Sequence, residues 1–362
     1  MTRRHAVVAA GGTGGHLVPA EALARELGER GWTITLATDA RGAAYAAGFP
    51  AEERLALEAA TFSLSNPLNV LRGSGRILAG IRQAQAAFRR TDPAVVVGFG
   101  GYPSLPALLA ALARKRPTVI HEQNAVLGRV NRLLSGRVTA VASAFPTLER
   151  ASPAVKARAE AVGNPVRAEI RALHGRPYAP PTDELRLLVT GGSQGARILS
   201  DTVPAALASL PEGLRLRLRV EQQTRAEAAD AARATYAAAG VQATVAPFVR
   251  DMAERLAQAH LVIGRAGAST VSELAVAGRP SILVPLAIAT DDHQRLNAAL
   301  LTDAGAAEMI LERDLTVERL ASAVAAMLAD PADLARRAAA AAGAAKPDAA
   351  ARLADLVERV AA

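Results

Sequence analysis

The sequence of 362 residues contains no cysteine. A disulfide scaffold, a thiolate nucleophile, a cysteine-ligated zinc and an iron–sulfur cluster are therefore excluded. Aromatic residues make up only 3% of the chain, which disfavours stacking of nucleic-acid bases. The sequence also has no helix-turn-helix or RNA-binding signature, so we do not expect a nucleic acid as a partner.

Long hydrophobic runs are missing as well. The longest charge-free stretch, residues 93–113, is interrupted by glycines and prolines, and we interpret it as a strand, a loop and a helix. The apolar run after Arg4 is too short for the hydrophobic region of a signal peptide. These features predict a cytoplasmic protein that touches a membrane only from its surface.

Acidic residues are scarce in the first half of the chain. The net charge is +8, with a net of +9 in residues 1–166 (20 Arg and Lys against 11 Asp and Glu) and −1 in the remainder. An arginine-rich composition alone would affect both halves equally. The asymmetry therefore indicates an anionic partner of the first half, such as a membrane surface or a phosphorylated substrate.

The order of apolar runs predicts an α/β fold with two doubly wound parallel-sheet domains. Short runs rich in β-branched residues alternate with helical stretches in both halves, and a proline-rich segment separates the halves. We place an N-terminal domain at 1–163, a linker at 164–184, a second domain at 185–345 and a last helix at 346–362.

Two glycine-rich turns follow predicted strands, one at the start of each half. Residues 11–16 and 191–197 each lead into a helix, whose N-terminus favours a negatively charged ligand. The first turn is not the dinucleotide-binding fingerprint, because Leu17 stands where the third glycine belongs. His16 is a candidate base, and Ser193 can donate to a phosphate. Tight turns without a ligand are the alternative.

Two further polar clusters follow predicted strands, where parallel sheets bind ligands. The cluster at 121–124, HEQN, lacks the spacing of a zinc-binding motif. The segment 264–273 admits two interpretations. Thr270 and Glu273 form a capping box, or Glu273 accepts hydrogen bonds from the hydroxyls of a ribose.

A cluster of two acids, a histidine and a glutamine occupies residues 291–294, with Asn297 close behind. Adjacent acidic side chains point apart, so we interpret the cluster as hydrogen-bonding groups for a polyhydroxylated ligand. We expect no metal site and no cofactor.

Between Ala59 and Thr91 the sequence has arginines but no acidic residue. Apolar and basic residues alternate there, which is typical of an interfacial membrane patch, and the Gly-Ser-Gly run at 73–75 indicates an irregular, exposed segment. The predicted membrane patch consists of Leu71, Arg72, Arg76, Ile77, Leu78, Ile81, Arg82 and Phe88. The alternative is a helix with an apolar face toward the core and a solvated basic back.

Seven motifs taken in order make the sequence resemble the bacterial family 28 glycosyltransferases that convert lipid I to lipid II. The similarity runs nearly from end to end. The motifs are GGTGGH (11–16), GGYPS (100–104), HEQN (121–124), GNPVR (163–167), GGSQGAR (191–197), RAGASTVSE (265–273) and DHQ (292–294).

The resemblance implies a GT-B fold, in which two Rossmann-like domains face each other across a deep cleft and the last helix crosses back to the first domain. It implies inverting transfer of N-acetylglucosamine from UDP-GlcNAc to the C4 hydroxyl of the muramoyl sugar of lipid I, forming a β-1,4 link. UDP-GlcNAc, lipid I and an anionic membrane surface are the implied partners. The implied location is the cytoplasmic face of the cell membrane, as a peripheral protein of cell-wall synthesis.

The resemblance also implies roles for individual residues. His16 is the proposed base, and Arg265 is a candidate for stabilising leaving-group charge. Glu273 would hold the ribose hydroxyls, and the backbone of Val249 would contact the uracil. The other implied substrate-binding residues are Thr13, Gly14, Gly15, Asn124, Arg167, Ser193, Ala268, Ser269, Thr270, His293 and Gln294.

The chain departs from the family pattern at 222–225, where QQTR replaces the usual His-Gln-Thr/Ser-Gly. No role of that histidine or glycine is carried over. Alternatives within the fold are a UDP-GlcNAc 2-epimerase or a glycolipid synthase with another acceptor, and the basic patch disfavours the soluble epimerase. A dinucleotide-binding oxidoreductase is a third alternative, disfavoured by the missing fingerprint.

Overall fold

The computed structural model describes residues 4–11, 14–45, 48–60, 67–192 and 195–362, with the backbone alone at 44, 45 and 67–71. These residues form two compact units. Unit 1 comprises the described part of Met1–Arg167 together with Asp348–Ala362, and unit 2 comprises that of Ala168–Pro347. The division falls after Arg167, so most of the segment predicted as a linker belongs to unit 2.

Strands and helices alternate along the chain. The strands are β1 (His5–Ala9), β2 (Thr33–Thr38), β3 (Glu53–Ala56), β4 (Val95–Gly98), β5 (Thr118–Glu122), β6 (Ala140–Ser143), β7 (Ala159–Ala161), β8 (Leu185–Thr190), β9 (Leu218–Gln223), β10 (Gln242–Ala246), β11 (Leu261–Gly264), β12 (Ser281–Leu283) and β13 (Ala307–Met309). The α-helices are α1 (Gly14–Glu29), α2 (Ala40–Tyr45), α3 (Pro67–Thr91), α4 (Leu105–Ala113), α5 (Arg129–Leu134), α6 (Pro153–Arg158), α7 (Ala168–Arg171), α8 (Arg197–Ala208), α9 (Glu212–Arg215), α10 (Ala229–Ala238), α11 (Met252–Gln258), α12 (Ala268–Ala277), α13 (His293–Thr302), α14 (Val317–Ala329), α15 (Pro331–Gly343) and α16 (Ala349–Ala361).

Unit 1 is built on a parallel sheet with the strand order β3-β2-β1-β4-β5-β6-β7. The central strand β1 pairs in register with both neighbours, with Val7 opposite Thr35 on β2 and Val96 on β4. Every residue of β1 is buried, because helices cover both faces of a parallel sheet. One apolar layer includes residues of α1 and α16, and the other includes residues of α3, α4 and α5.

The C-terminal helix α16 packs in unit 1, against α1. Its apolar face is fully buried through Leu353, Ala354 and Val357. The Trp32 indole donates a hydrogen bond of 3.0 Å to Glu358, and Arg30 donates to the same carboxylate at 2.8 Å. The last helix therefore completes the core of the unit in which the chain begins.

Unit 2 has the strand order β10-β9-β8-β11-β12-β13, and all of its pairs are parallel. Each sheet reverses its order beside its first strand, at β1 and at β8, as in doubly wound nucleotide-binding folds. The predicted α/β class with two Rossmann-like parallel-sheet domains is confirmed. In such sheets ligands bind beyond the carboxyl ends of the strands near this reversal.

Helix α3 corrects the prediction of an irregular membrane patch. It is one continuous helix of 25 residues, and its apolar stripe faces the core. Ile77 and Phe88 are buried, with 7% and 1% of their surface exposed, and Ile81 packs against the same cluster. Ile77 and Phe88 are therefore enclosed by protein and do not reach a membrane, whereas Ile81 is partly buried. The described parts of the chain contain no helix long and apolar enough to span a bilayer.

Candidate active site

The carboxyl ends of the adjacent strands β8, β11 and β12 lie side by side at one edge of unit 2. The segments that follow lead into α8, α12 and α13. Three helix N-termini therefore begin beyond this edge. Unpaired N–H groups at a helix N-terminus carry partial positive charge and bind anions.

The turn between β8 and α8 is compact because glycine occupies it. A Cβ on Gly191 would lie 2.3 Å from the backbone nitrogen of Ala196, and Gly192 has a φ of +75°. Only a residue without a side chain allows the chain to fold back so closely onto the start of α8. Ser193 lies outside the described residues, as do Thr13 and the side chain of Leu71.

Gln223, at the end of β9, ties this turn to the sheet. Its Oε1 accepts hydrogen bonds of 3.1 Å from the Thr190 hydroxyl and from the Gly191 N–H, and its Nε2 donates to the Gly192 carbonyl at 3.0 Å. Gln223 is buried. Gln223 falls within the departure from the family pattern at 222–225 and received no predicted role. No spacing rule identifies it, because most of its partners are backbone atoms.

The structure also shows the contacts of residues 222–225, where the sequence departs from the family pattern. Gln222 is buried, accepts a hydrogen bond from the Tyr236 hydroxyl and donates weakly to the Leu199 carbonyl. Arg225 forms an ion pair of 2.7 Å with Glu227, and its Cγ would lie 3.2 Å from a Cβ on Gly195. A glutamine and an arginine are thus accommodated beside the glycine turn.

Helix α12 contains Ala268, Ser269, Thr270 and Glu273 in its first two turns. The residue that precedes it is Gly267, which makes no side-chain capping bond. The capping-box interpretation is therefore wrong, because Thr270 lies inside the helix. The hydroxyl of Ser269 is buried and has no partner among the described residues, and Glu273 is half-buried.

Arg265, at the end of β11, is held by hydrogen bonds to other residues of unit 2. Its guanidinium donates to the carbonyls of Val284 and Pro285 at 3.1 and 3.3 Å and to Glu312 at 3.0 Å, and 9% of its side chain is exposed. The prediction that its charge faces a leaving group is corrected: the guanidinium is committed to the loop after β12. Glu312 also accepts the Ala287 N–H at 2.6 Å. Burial raises the pKa of Glu312, but the hydrogen bonds from Arg265 and Ala287 outweigh it and hold that pKa below its ordinary value.

The loop after β12 leads to the predicted sugar-binding residues. Gln294 accepts the Leu286 N–H at 3.0 Å, and His293 Nδ1 donates to the Thr290 carbonyl at 2.8 Å. Asn297 is fully buried and donates to the Ala266 carbonyl at 3.2 Å. Asn297 therefore joins α13 to the loop before α12, which corrects its interpretation as a ligand-binding group.

Val249 follows the end of β10, at the same edge of the sheet. It is half-buried, whereas the preceding Phe248 is 68% exposed. In unit 2, the described residues that were predicted to bind the nucleotide therefore lie near the carboxyl edge of one sheet.

In unit 1, His16 stands in the first turn of α1, after Gly14 and Gly15. Its ring is half-buried, and its Nδ1 lies 2.8 Å from Oε1 of Gln123. Gln123 follows β5 directly. Gln123 was noted in the HEQN cluster but was not assigned a role.

The neighbouring Glu122 organises the loop after β5. This buried carboxylate accepts hydrogen bonds from Asn124, from the Gly128 N–H and from Asn131, at distances of 2.9 to 3.3 Å. Its lone pairs are therefore engaged with the protein. Asn124 is positioned by the same carboxylate, and Arg167 stands half-buried at the end of unit 1.

Comparison with known proteins agrees with this arrangement. The Glycosyltransferase family 28 N-terminal domain matches residues 6–143, and the Glycosyltransferase family 28 C-terminal domain matches residues 186–353. A relative from Caulobacter vibrioides is 63% identical over 98% of this chain and 99% of its own length, and one from Phenylobacterium zucineum is 59% identical over 99% of both. Both are named UDP-N-acetylglucosamine--N-acetylmuramyl-(pentapeptide) pyrophosphoryl-undecaprenol N-acetylglucosamine transferase. The crystal structure of Acinetobacter baumannii MurG superposes with a TM-score of 0.80 at 32% identity, covering 98% of this chain and 99% of that one.

Proposed function

Because the chain belongs to glycosyltransferase family 28, we propose that it transfers N-acetylglucosamine from UDP-GlcNAc to lipid I and so forms lipid II. The observation that carries this proposal is the name shared by relatives that are 63% and 59% identical over nearly the whole chain. The product is the disaccharide precursor of peptidoglycan. The link formed is β-1,4, to the C4 hydroxyl of the muramoyl sugar.

UDP-GlcNAc binds at the carboxyl edge of the unit 2 sheet. The N-termini of α8 and α12 offer backbone N–H groups to the diphosphate, and Gln223 holds the glycine turn that leads into α8. Ser193 and Ser269 add hydroxyl donors, and the Ser269 hydroxyl, which is buried without a partner in the described part of the chain, supports that role. Glu273 holds the ribose hydroxyls, and Val249 contacts the uracil through its backbone.

The sugar is held by the loop between β12 and α13, with Gln294 and His293 as its hydrogen-bonding groups. The bonds from Arg265 and Gln294 to the backbone between 284 and 286 support this assignment, since they fix the loop from two sides. Arg265 acts there as a positioning residue.

In unit 1, Thr13, Gly14 and Gly15 lie by the donor sugar and the acceptor pyrophosphate, and Asn124 and Arg167 belong to the donor site. His16 removes the proton of the attacking hydroxyl, and a positioned base of this kind contributes about 10²–10⁴-fold to a rate. The reaction is a direct displacement that inverts C1. The helix N-termini of α8 and α12 stabilise the charge of the departing UDP, and no metal ion takes part.

The protein binds the anionic cytoplasmic face of the membrane as a peripheral protein. It binds through exposed residues of α3, without the buried Ile77 and Phe88 of the predicted patch. On α3, Leu78, Arg82 and Arg89 are separated by intervals of four and seven residues and are exposed on one side of the helix. Leu78 has 47% of its surface exposed. Arg72 and Arg76 are also exposed, although Arg76 pairs with Glu58 at 2.8 Å.

Product analysis tests the proposed reaction. The purified chain is incubated with UDP-GlcNAc and a short-chain lipid I analogue, and the lipid product is examined by mass spectrometry and NMR. We expect a mass increase of one N-acetylhexosamine and a β-configured link. Formation of UDP-N-acetylmannosamine without any change in the lipid would instead indicate an epimerase.

A further inference from the structure

A chain of hydrogen bonds joins the backbone carbonyl of Gly163 to the imidazole of His16. His121 Nε2 lies 2.9 Å from Gly163 O, and His121 Nδ1 lies 3.0 Å from Gln123 Nε2. The same Gln123 Nε2 lies 2.9 Å from His121 O, and Gln123 Oε1 lies 2.8 Å from His16 Nδ1. The path thus runs through two side chains of the HEQN motif.

Two carbonyl groups fix the direction of every bond in this chain. A carbonyl only accepts hydrogen bonds, so His121 must carry its proton on Nε2 to donate to Gly163. Gln123 must likewise turn its amide nitrogen toward His121 O, and that nitrogen also donates to the bare Nδ1 of His121. The amide oxygen is then left facing His16 and accepts from its Nδ1–H.

The inner part of the chain is closed to water. His121 is fully buried and Gln123 is 2% exposed, and the ring of His121 packs against Phe99 with centroids 5.4 Å apart. Burial lowers the pKa of His121 to about 4, even though the hydrogen bond to Gly163 opposes the shift. His121 therefore stays neutral near pH 7, and its single ring proton stays on Nε2.

We propose that Gln123 is a positioning residue that sets the tautomer of His16, with His121 setting the orientation of Gln123. A neutral imidazole has one N–H, and the hydrogen bond at one nitrogen decides the state of the other. With its proton held on Nδ1, His16 presents an unprotonated Nε2, which is the form that a general base requires. This inference rests on the role of His16 in the proposed function.

Gly101 has no side chain that could cover Nε2 of His16. Its φ of +71° favours glycine, and a Cβ there would lie 3.4 Å from both Nε2 and Cδ2 of His16. The GGYPS motif therefore borders the nitrogen that the HEQN motif keeps unprotonated.

The tautomer is measured directly in the full-length wild-type protein. Long-range ¹H–¹⁵N correlation spectra of protein labelled with ¹⁵N-histidine distinguish protonated from bare ring nitrogens, and His16→Gln assigns the His16 signals. We expect neutral His16 in the Nδ1–H form, whereas free histidine in water favours Nε2–H. A His16 ring protonated mainly on Nε2 overturns the inference, with no variant of Gln123 needed.

Two substitutions separate positioning from structural support. Gln123→Leu removes the three side-chain hydrogen bonds of Gln123. We expect kcat to fall by at least about tenfold with KM for UDP-GlcNAc nearly unchanged, while His16 shifts toward Nε2–H. Gln123→Glu keeps an acceptor for His16 Nδ1–H and is expected to restore that tautomer and part of kcat. Gln242→Leu, at an exposed glutamine of unit 2, serves as the control.

The outcomes distinguish this inference from the proposed function. A folded Gln123→Leu protein that keeps both the wild-type kcat and the Nδ1–H tautomer of His16 contradicts the inference alone. If Gln123→Leu does not fold, the wild-type spectrum decides. If His16 carries its proton on Nδ1 but no transfer to lipid I occurs, the tautomer assignment holds and the proposed function fails.

Discussion

The guanidinium of Arg265 donates a hydrogen bond of 3.0 Å to Glu312, and this pair joins the end of β11 to the loop after β12. Removing the charge while keeping the shape, as in Glu312→Gln, is expected to lower the free energy of unfolding by about 1–3 kcal/mol. It should also raise KM for UDP-GlcNAc, because the loop before Gln294 loses an anchor. Denaturant unfolding and initial rates check both effects. The exposed pair Glu308 and Arg319 supplies the control, since Glu308→Gln should change stability by no more than about 1 kcal/mol.

The same carboxylate gives a pH dependence with a definite sign. Hydrogen bonds from Arg265 and Ala287 overcome the effect of burial and hold the pKa of Glu312 below its ordinary value. Ionised Glu312 therefore stabilises the fold at neutral pH, and this contribution is lost as the pH falls through the folded-state pKa. The stability difference between wild type and Glu312→Gln should be complete above about pH 5 and shrink below about pH 4. A difference that grows on acidification would show that the carboxylate is not stabilised in this way.

Gln223 is expected to matter for nucleotide binding although it need not touch the nucleotide. Gln223→Ala frees the turn at Gly191 and Gly192 from β9, so the N-terminus of α8, which follows the turn, loses its fixed position. We expect the affinity for UDP to fall by about tenfold, equal to about 1.4 kcal/mol, in isothermal titration calorimetry. Gln242→Ala, at an exposed position, should bind UDP like the wild type. Equal affinity of both variants for UDP would show that Gln223 does not support nucleotide binding.

Membrane binding is expected to depend on the exposed side of α3. Leu78→Glu with Arg82→Glu replaces an exposed apolar and a basic group, and we expect weaker co-sedimentation with phosphatidylglycerol vesicles at unchanged UDP binding. Leu216→Glu alters an equally exposed leucine of unit 2, 53% exposed, and should sediment like the wild type. Unchanged co-sedimentation of the α3 variant with the vesicles would exclude this surface as the membrane-binding site. Ile77 and Phe88 are unsuitable for the test, because a charge there would disrupt the core.

The docking of α16 gives a stability prediction. Leu353 is fully buried in the core of unit 1, so Leu353→Ala should lower the free energy of unfolding by about 2–5 kcal/mol. The adjacent Arg352 is half-exposed, and among the described residues it pairs only with Asp348, which directly precedes α16. Arg352→Ala should therefore change stability by less than about 1 kcal/mol. Thermal denaturation compares the two, and equal effects would show that α16 is not part of the core.

The periodicity of the sequence predicted the two parallel sheets because buried strands of such sheets are continuous apolar runs, as in β1 and β8. Strands with exposed residues were harder to predict. The short edge strand β3 alternates half-buried and exposed residues and has no continuous apolar run, and residues 214–220 contain both the end of α9 and the start of β9. A short helix next to a strand leaves no clear period in so few residues.

The site was predicted well where a motif determines the shape of the backbone. It was predicted less well where the role of a side chain depends on its hydrogen-bond partners. The glycine turn before α8 follows from its sequence. The partners of Arg265 and Asn297 do not, because both bond to backbone atoms 19 to 31 residues away. On α3 the sequence showed an apolar stripe next to arginines, and both a core and a membrane satisfy that pattern. Only the packing of Phe88 in the core of unit 1 distinguishes the two.

The proposed reaction is tested most directly by the release of UDP from UDP-GlcNAc, measured with and without a lipid I analogue in the presence of EDTA. We expect UDP release that requires the acceptor and continues in EDTA. Donor binding without acceptor-dependent release, by a folded protein, would contradict the proposed acceptor. Release that EDTA abolishes would contradict the metal-independent displacement.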